Sequence, residues 1–333
     1  MNLSDIPRVS LAHIPTPLQK LERVSKLLNT NIWIKRDDLT GGVLSGNKVR
    51  KLEYSFGQAL HEGADAIITC GGIQSNHCRA TAAAGAQIGL KVCLLLRGQP
   101  LATADGNLLL DSLCGAEIDC HSQADFAHLS NIVSNKMKEL QARGFKPFFI
   151  PTGASDGLGL CGYLNAVNEL ESDFTHKQIN PDYVVCATGS GGTQAGLTLG
   201  MHLAKMQTKV LGIAVCDNEA YFQNKVRHDI ADWMQRFNQQ VNLDSLSVYV
   251  NDQYIGAGYA KASSEIFDTI AWLARTEGIV LDPVYTGKAF HGMINEIKQG
   301  ALKGAKDVVF IHTGGLFGLF PYKNQISIDI NNS

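Results

Sequence analysis

Short β-branched runs that alternate with longer stretches of helical period constrain this chain more than any other feature. The runs are "NIWIKR", "AIITC", "KVCLLLR", "KPFFIP", "YVVCATG", "VLGIAV", "SVYV" and "DVVFIHTGG". Between them lie candidate helices at 17–28, 46–61, 76–89, 123–143, 193–205, 260–277 and 287–302. That rhythm predicts βαβ units, hence an α/β fold with parallel-rich open twisted sheets flanked by helices. Several runs are apolar on both faces, as strands covered by helices on each side require. With 333 residues the expectation is two domains, on length alone.

Charge narrows the partners. Lys and Arg number 29 against 31 Asp and Glu, a formal net charge of −2. No cationic surplus is available to neutralise a nucleic-acid backbone or to dock on an anionic membrane, so a small molecule is the expected partner. The first twenty residues have no apolar signal-peptide core, and no run reaches the roughly 18 apolar residues of a membrane span. A cytoplasmic protein is expected. The eight cysteines form no C-x-x-C pair and sit in or beside apolar runs, which reads as reduced packing residues. The ten histidines include no H-E-x-x-H, so no catalytic metal is expected.

In parallel α/β folds ligands sit at the carboxyl ends of strands. Four loops there carry glycines with small polar side chains: "CGGIQSNHCRA", "PTGASDG", "ATGSGGTQAG" and "HTGGLFG". In the third, Gly189, Ser190, Gly191, Gly192 and Thr193 let consecutive backbone N–H groups converge at a helix start, an anion cradle suited to a phosphate. A dinucleotide site competes, with Asp217 as the ribose acid, but Gln194 stands where the third glycine of that fingerprint belongs. "GASDG" also matches a nucleophile elbow, with Ser155, Asp282 and His312 in triad order, although no HGGG-like oxyanion loop precedes it. The paired acids of "RDDL" read as solvated or salt-bridged.

A phosphate cradle, polar strand-end loops and no metal site suit a small phosphorylated cofactor that needs a lysine, and pyridoxal phosphate is such a cofactor. Neutralising a free lysine amine at pH 7 costs about 4 to 5 kcal/mol, which burial and a helix N-terminus both reduce. "SGNKVRKLE" places Lys48 just behind Gly46 at a candidate helix start. Arg50 and Lys51 read as a charged first turn, with Glu53 near enough for local pairing.

Over essentially its whole length the sequence resembles the fold-type II pyridoxal-phosphate enzymes of the group of 1-aminocyclopropane-1-carboxylate (ACC) deaminase and D-cysteine desulfhydrase. The motifs are "IKRDDLTG", "LSGNKVRKLE", "GGIQSNHCRA", "GSGGTQAG", "LDPVYTGKA" and "FIHTGG". The resemblance implies a tryptophan synthase β-like fold, a larger domain of residues 1–51 plus 161–333, a smaller one of residues 52–160, and a homodimer. It makes Lys48 the Schiff-base lysine, Asn76 a partner of the ring hydroxyl, and Gly189 to Thr193 the phosphate holder. Ser75, with Gln74, would meet the substrate carboxylate, beside His77, and Ser75 would join in proton transfer. Tyr285 would lie against the ring, Tyr259 would look into the substrate pocket, and Thr313 would face the ring nitrogen. ACC deaminases carry Glu after the tyrosine of "DPVY"; Thr286 stands there in this chain. Threonine can hydrogen-bond near the ring nitrogen but cannot hold it protonated, which favours β-elimination over cyclopropane opening. The implied reaction is D-cysteine to pyruvate, hydrogen sulfide and ammonia. ACC deamination to 2-oxobutyrate, a related elimination such as sulfite release from cysteate, and a hydrolase using Ser155 stay as alternatives.

Overall fold

The computed structural model describes residues 2–99 and 103–326. Among the described residues ten strands form two sheets. They are β1 (Leu18–Lys20), β2 (Asn31–Lys35), β3 (Ala66–Gly72), β4 (Lys91–Arg97), β5 (Glu117–His121), β6 (Pro147–Ile150), β7 (Tyr183–Thr188), β8 (Lys209–Ala214), β9 (Tyr249–Asn251) and β10 (Asp307–Ile311). One sheet runs β1-β2-β10-β7-β8-β9, the other β5-β4-β3-β6. Every pairing is parallel except β1 with β2, where Leu18 faces Lys35.

Helices cover both faces of the six-stranded sheet, which is why its central strands read as unbroken apolar runs. On one face Ile34, Val185, Ile213 and Phe310 pack against Ile270, Leu273, Phe290 and Met293. On the other, Val184, Cys186 and Val309 meet Tyr163, Val167, Leu170 and Leu197.

Three expectations change. The stretch 17–28 is a strand, β1, followed by a helix only from Glu22–Leu28, because residues 18–20 complete the sheet edge beside β2. The stretch 123–143 is two helices, Gln123–Phe126 and Leu129–Ala142, broken at Ala127 and His128. The edge strand β5 had no β-branched run to announce it; half-buried throughout, it alternates Glu117, Asp119 and His121 with Ile118 and Cys120.

The four-stranded sheet draws all its strands from residues 66–150, and the six-stranded sheet draws from both sides of that span. We propose that this sheet marks the smaller domain of residues 52–160. The helix Asn47–His61 runs unbroken across its first boundary.

Candidate active site

The carboxyl ends of β3, β4, β7, β8 and β10 and the start of the Asn47–His61 helix converge on a cavity of about 450 Å³. Lys48, Ser75, Asn76, His77, Gly189, Ser190, Gly191, Thr193, Tyr259, Tyr285 and Thr313 all line it.

Lys48 is fixed from both neighbours. Gly46 caps its helix with φ 99°, and a Cβ there would fall 2.7 Å from the Thr313 carbonyl oxygen, so only glycine fits. The Asn47 N–H donates to that same oxygen at 3.1 Å, which ties the lysine's turn to the loop after β10. Asn47 Nδ2 donates to Thr193 Oγ1 at 2.9 Å and ties it to the cradle helix Gly192–Leu203. Burial lowers the Lys48 amine to about 8, Asp282 opposing and Arg79 assisting. An appreciable share of the neutral amine is therefore present near neutral pH, as a nucleophile or a base requires.

The cradle fits a phosphate. Among the described residues no acceptor meets the N–H groups of Ser190, Gly191 or Thr193, and they open the Gly192–Leu203 helix at its positive end. A Cβ at Gly189 would lie 2.9 Å from the Tyr285 ring, so this glycine lets the aromatic ring approach the cradle. Beneath it, Ser155 Oγ donates to Ser190 Oγ at 2.8 Å and accepts from the Gly192 N–H at 3.3 Å.

Lys51 completes this floor. Its Nζ donates to Ser155 Oγ at 3.1 Å, and the side chain is fully buried. Burial, then the neighbouring Lys48 charge, pushes its pKa well below the ordinary lysine value. The solvated reading of Arg50 and Lys51 is thereby corrected. Arg50 is also buried, giving two hydrogen bonds to Asp37, at 2.9 and 2.7 Å, and reaching Glu169 at 2.6 Å. Tyr163 donates to the same Asp37 at 2.6 Å. Burial alone would raise the Asp37 carboxyl, but Arg50, joined by Tyr163 and Lys35, outweighs it and holds the group below its usual range. Glu53, far from pairing locally, accepts from the N–H groups of Leu11 and Ala12 and from Arg8.

The loop after β3 delivers Ser75 and Asn76 at the start of the Asn76–Ile88 helix, where Ser75 Oγ accepts from the Cys78 N–H at 3.2 Å. His77 Nε2 pairs with Thr69 at 2.7 Å while its Nδ1, buried, has no partner. Burial and then the charges of Lys48 and Lys51 keep its ring neutral.

Three expected site residues stand elsewhere. Gln74 turns away from the cavity: its Nε2 donates to the Asp105 carbonyl and its Oε1 accepts from the Asn107 N–H, both at 2.9 Å, so it anchors the Gly106–Leu113 helix. Gly192 lies behind the cavity wall, against Ser155 and Lys51. Thr286 is fully buried, its hydroxyl donating to Asp282 Oδ1 at 2.7 Å and accepting from the Asp282 N–H at 2.8 Å. Both hydrogen-bonding directions of that hydroxyl are used on Asp282, so it is not free for a cofactor. The hydrolase triad is not assembled either. Asp282 caps Val284 to Thr286, and His312 Nε2 lies 3.1 Å from the Val280 carbonyl.

Tyr259 and Tyr285 meet hydroxyl to hydroxyl at 2.5 Å, and burial raises both phenols. The segment that presents Tyr259 hangs on Lys288, whose buried Nζ donates to the carbonyls of Ile255 and Gly258 at 2.6 and 2.8 Å. Lys288→Met is expected to lower kcat/KM by about 10-fold, through misplacement of Tyr259. In a Tyr259→Phe background the same change should cost little more. Additive losses in the double variant would break the link.

The chain matches the pyridoxal-phosphate-dependent enzymes over residues 9–314. The chain belongs to this family. It is 44% identical over 321 residues to a Thermotoga maritima protein provisionally named 1-aminocyclopropane-1-carboxylate deaminase, covering 96% of this chain and 99% of that one. It is 40% identical over 340 residues to an Arabidopsis thaliana mitochondrial protein named bifunctional D-cysteine desulfhydrase/1-aminocyclopropane-1-carboxylate deaminase, covering 97% and 82%. A crystal structure described as an ACC deaminase homologue superposes with TM-score 0.89 at 37% identity, covering 97% and 96%. A threonine deaminase crystal structure, at TM-score 0.61 and 18% identity, shares the fold alone. The cofactor is pyridoxal phosphate, the fold is type II, and the chain is of the ACC deaminase/D-cysteine desulfhydrase group. No helix among the described residues is long and apolar enough to cross a membrane.

Proposed function

We propose that this enzyme eliminates the β-substituent of a small amino acid, with D-cysteine giving pyruvate, hydrogen sulfide and ammonia. The observation that carries the reading is the Lys48 amine, lowered to about 8 by burial, in one cavity with the cradle at Ser190 to Thr193. When bound, pyridoxal phosphate supplies an aldehyde for the substrate amine and an electron-withdrawing ring that acidifies its α-carbon. Lys48 would take the α-proton, the cradle and Lys51 would hold the phosphate, and Ser75 and Asn76 would orient the substrate carboxylate. Tyr285 would lie against the ring, with the Tyr259 hydroxyl against its own. The carbon–sulfur bond breaks with its electron pair on sulfur, and water releases ammonia from the remaining three-carbon unit.

With Thr286 committed to Asp282, the choice of elimination over cyclopropane opening rests instead on Thr313. Thr313 lines the cavity, with its carbonyl against Gly46, and the resemblance sets its neutral hydroxyl at the ring nitrogen. A neutral partner suffices for loss of a good leaving group. The test is separate incubation with D-cysteine and with ACC, assaying sulfide, pyruvate and 2-oxobutyrate. Sulfide and pyruvate are expected; 2-oxobutyrate without sulfide overturns the assignment. The homodimer and the cytosolic location implied by the resemblance are proposed along with it, and sedimentation tests the first.

A further inference from the structure

Arg97 ends β4 and lines the cavity, yet nothing above uses it. Its carbonyl accepts from the Ile73 N–H at 3.2 Å, so the strand end and the Ser75–Asn76 loop are held together. Its guanidinium lies 5.8 Å from the Phe126 ring centroid and 6.0 Å from that of Tyr259. Two aromatic rings restrict such a group without consuming its N–H donors. Among the described residues no carboxylate pairs with it and no oxygen accepts from its side chain. The cavity thus holds one cation more than the proposed chemistry uses. The phosphate has the cradle and Lys51, and the substrate's α-carboxylate has the helix start at Ser75 and Asn76.

We infer that Arg97 is a specificity-determining residue that receives a negatively charged substituent on the substrate's β-carbon. The substrate class is then an amino acid with a second anionic group at that carbon: a thiolate or a sulfonate. A sulfonate suits the guanidinium best, because its oxygens match the planar fork of donors. This rests on the β-elimination reading, and it adds a role in the step itself. As the carbon–sulfur bond breaks, the electron pair and the charge leave with sulfur, and the guanidinium neutralises the departing sulfide or sulfite.

The test uses holoenzyme of the wild type, Arg97→Gln and Arg97→Lys, with D-cysteate as the anionic substrate and β-chloro-D-alanine as the uncharged one. The ratio of kcat/KM for the two should fall by about 10- to 100-fold in Arg97→Gln, the loss expected of one charge-assisted contact, and recover in part in Arg97→Lys. A ratio unchanged within about two-fold overturns the role of Arg97. If the wild type processes neither compound, the elimination reading falls instead. Arg97 is then judged by binding of D-cysteate against D-alanine, read from the visible absorbance of the cofactor. An equal ratio in wild type and Arg97→Gln overturns it there too.

Discussion

Lys48→Ala should abolish the visible absorbance of the covalently held cofactor and lower turnover by about 10²- to 10⁴-fold, the usual worth of a positioned proton-transfer group. The cavity offers no substitute in the same place. Lys51 is in the floor against Ser155, His77 has its Nε2 on Thr69, and Lys288 is spent on two backbone carbonyls. An added primary amine should restore part of the activity, because the cradle and the Ser75–Asn76 loop remain. Full activity in the variant would remove Lys48 from the mechanism. A second readout needs no substrate. In the cofactor-stripped protein the folded Lys48 has already lost its proton above about 8, while the unfolded chain keeps it up to about 10.5. The unfolded state binds more protons across that window, so stability rises with pH there, by ~3 kcal/mol from this one group. Lys48→Ala should flatten that part of a pH–stability curve; an unchanged slope would mean that the amine is not buried as described.

The contrast between Lys48 and its neighbours explains how much of the site could be read from the amino-acid sequence. A glycine before a helix start, small polar residues after each strand and the spacing of Gly189 to Thr193 are local features. Local features pointed to Lys48 and the cradle, the resemblance added Asn76, and the fold brings all three to one cavity. Burial of Arg50 and Lys51 is not local. Arg50 needs Asp37 and Glu169, the second 119 residues away, and Lys51 needs Ser155, 104 residues away. A motif with three cations reads as solvated until those partners are known. Gln74 fails for a related reason: the Asp105–Asn107 turn offers its amide two backbone partners that the "GGIQSNHCRA" motif does not contain. At the level of the fold, fully covered strands were legible because both faces are apolar. The edge strand β5 was not, since an edge leaves its side chains half exposed and mixed in character.

Lys51→Met is expected to move two quantities in opposite directions. In the cofactor-stripped protein the lysine is a cost: burial, then the Lys48 charge, pushes its pKa well below the ordinary lysine value, and among the described residues Ser155 Oγ is its one side-chain hydrogen-bond partner. A methionine of similar length fills the same space with no charge to desolvate, so the stripped variant should melt higher than the stripped wild type. With a phosphate in the cradle the sign reverses. The dianion would sit at Ser190 to Thr193, with the Lys51 amine close behind Gly192 and Ser155, and would favour the protonated form of that amine. The resulting charge-assisted contact is worth ~1.5–3 kcal/mol, so the variant should bind pyridoxal phosphate about 10- to 100-fold more weakly. Equilibrium titration of stripped protein with pyridoxal phosphate measures the loss, and thermal melts of the same samples measure the gain. If Lys51 were only a packing residue, the first change would vanish and the second would remain. Loss of both affinity and stability would instead mean that the lysine is charged before the phosphate arrives, held by Asp229 and Asp156, the acids that oppose its depression.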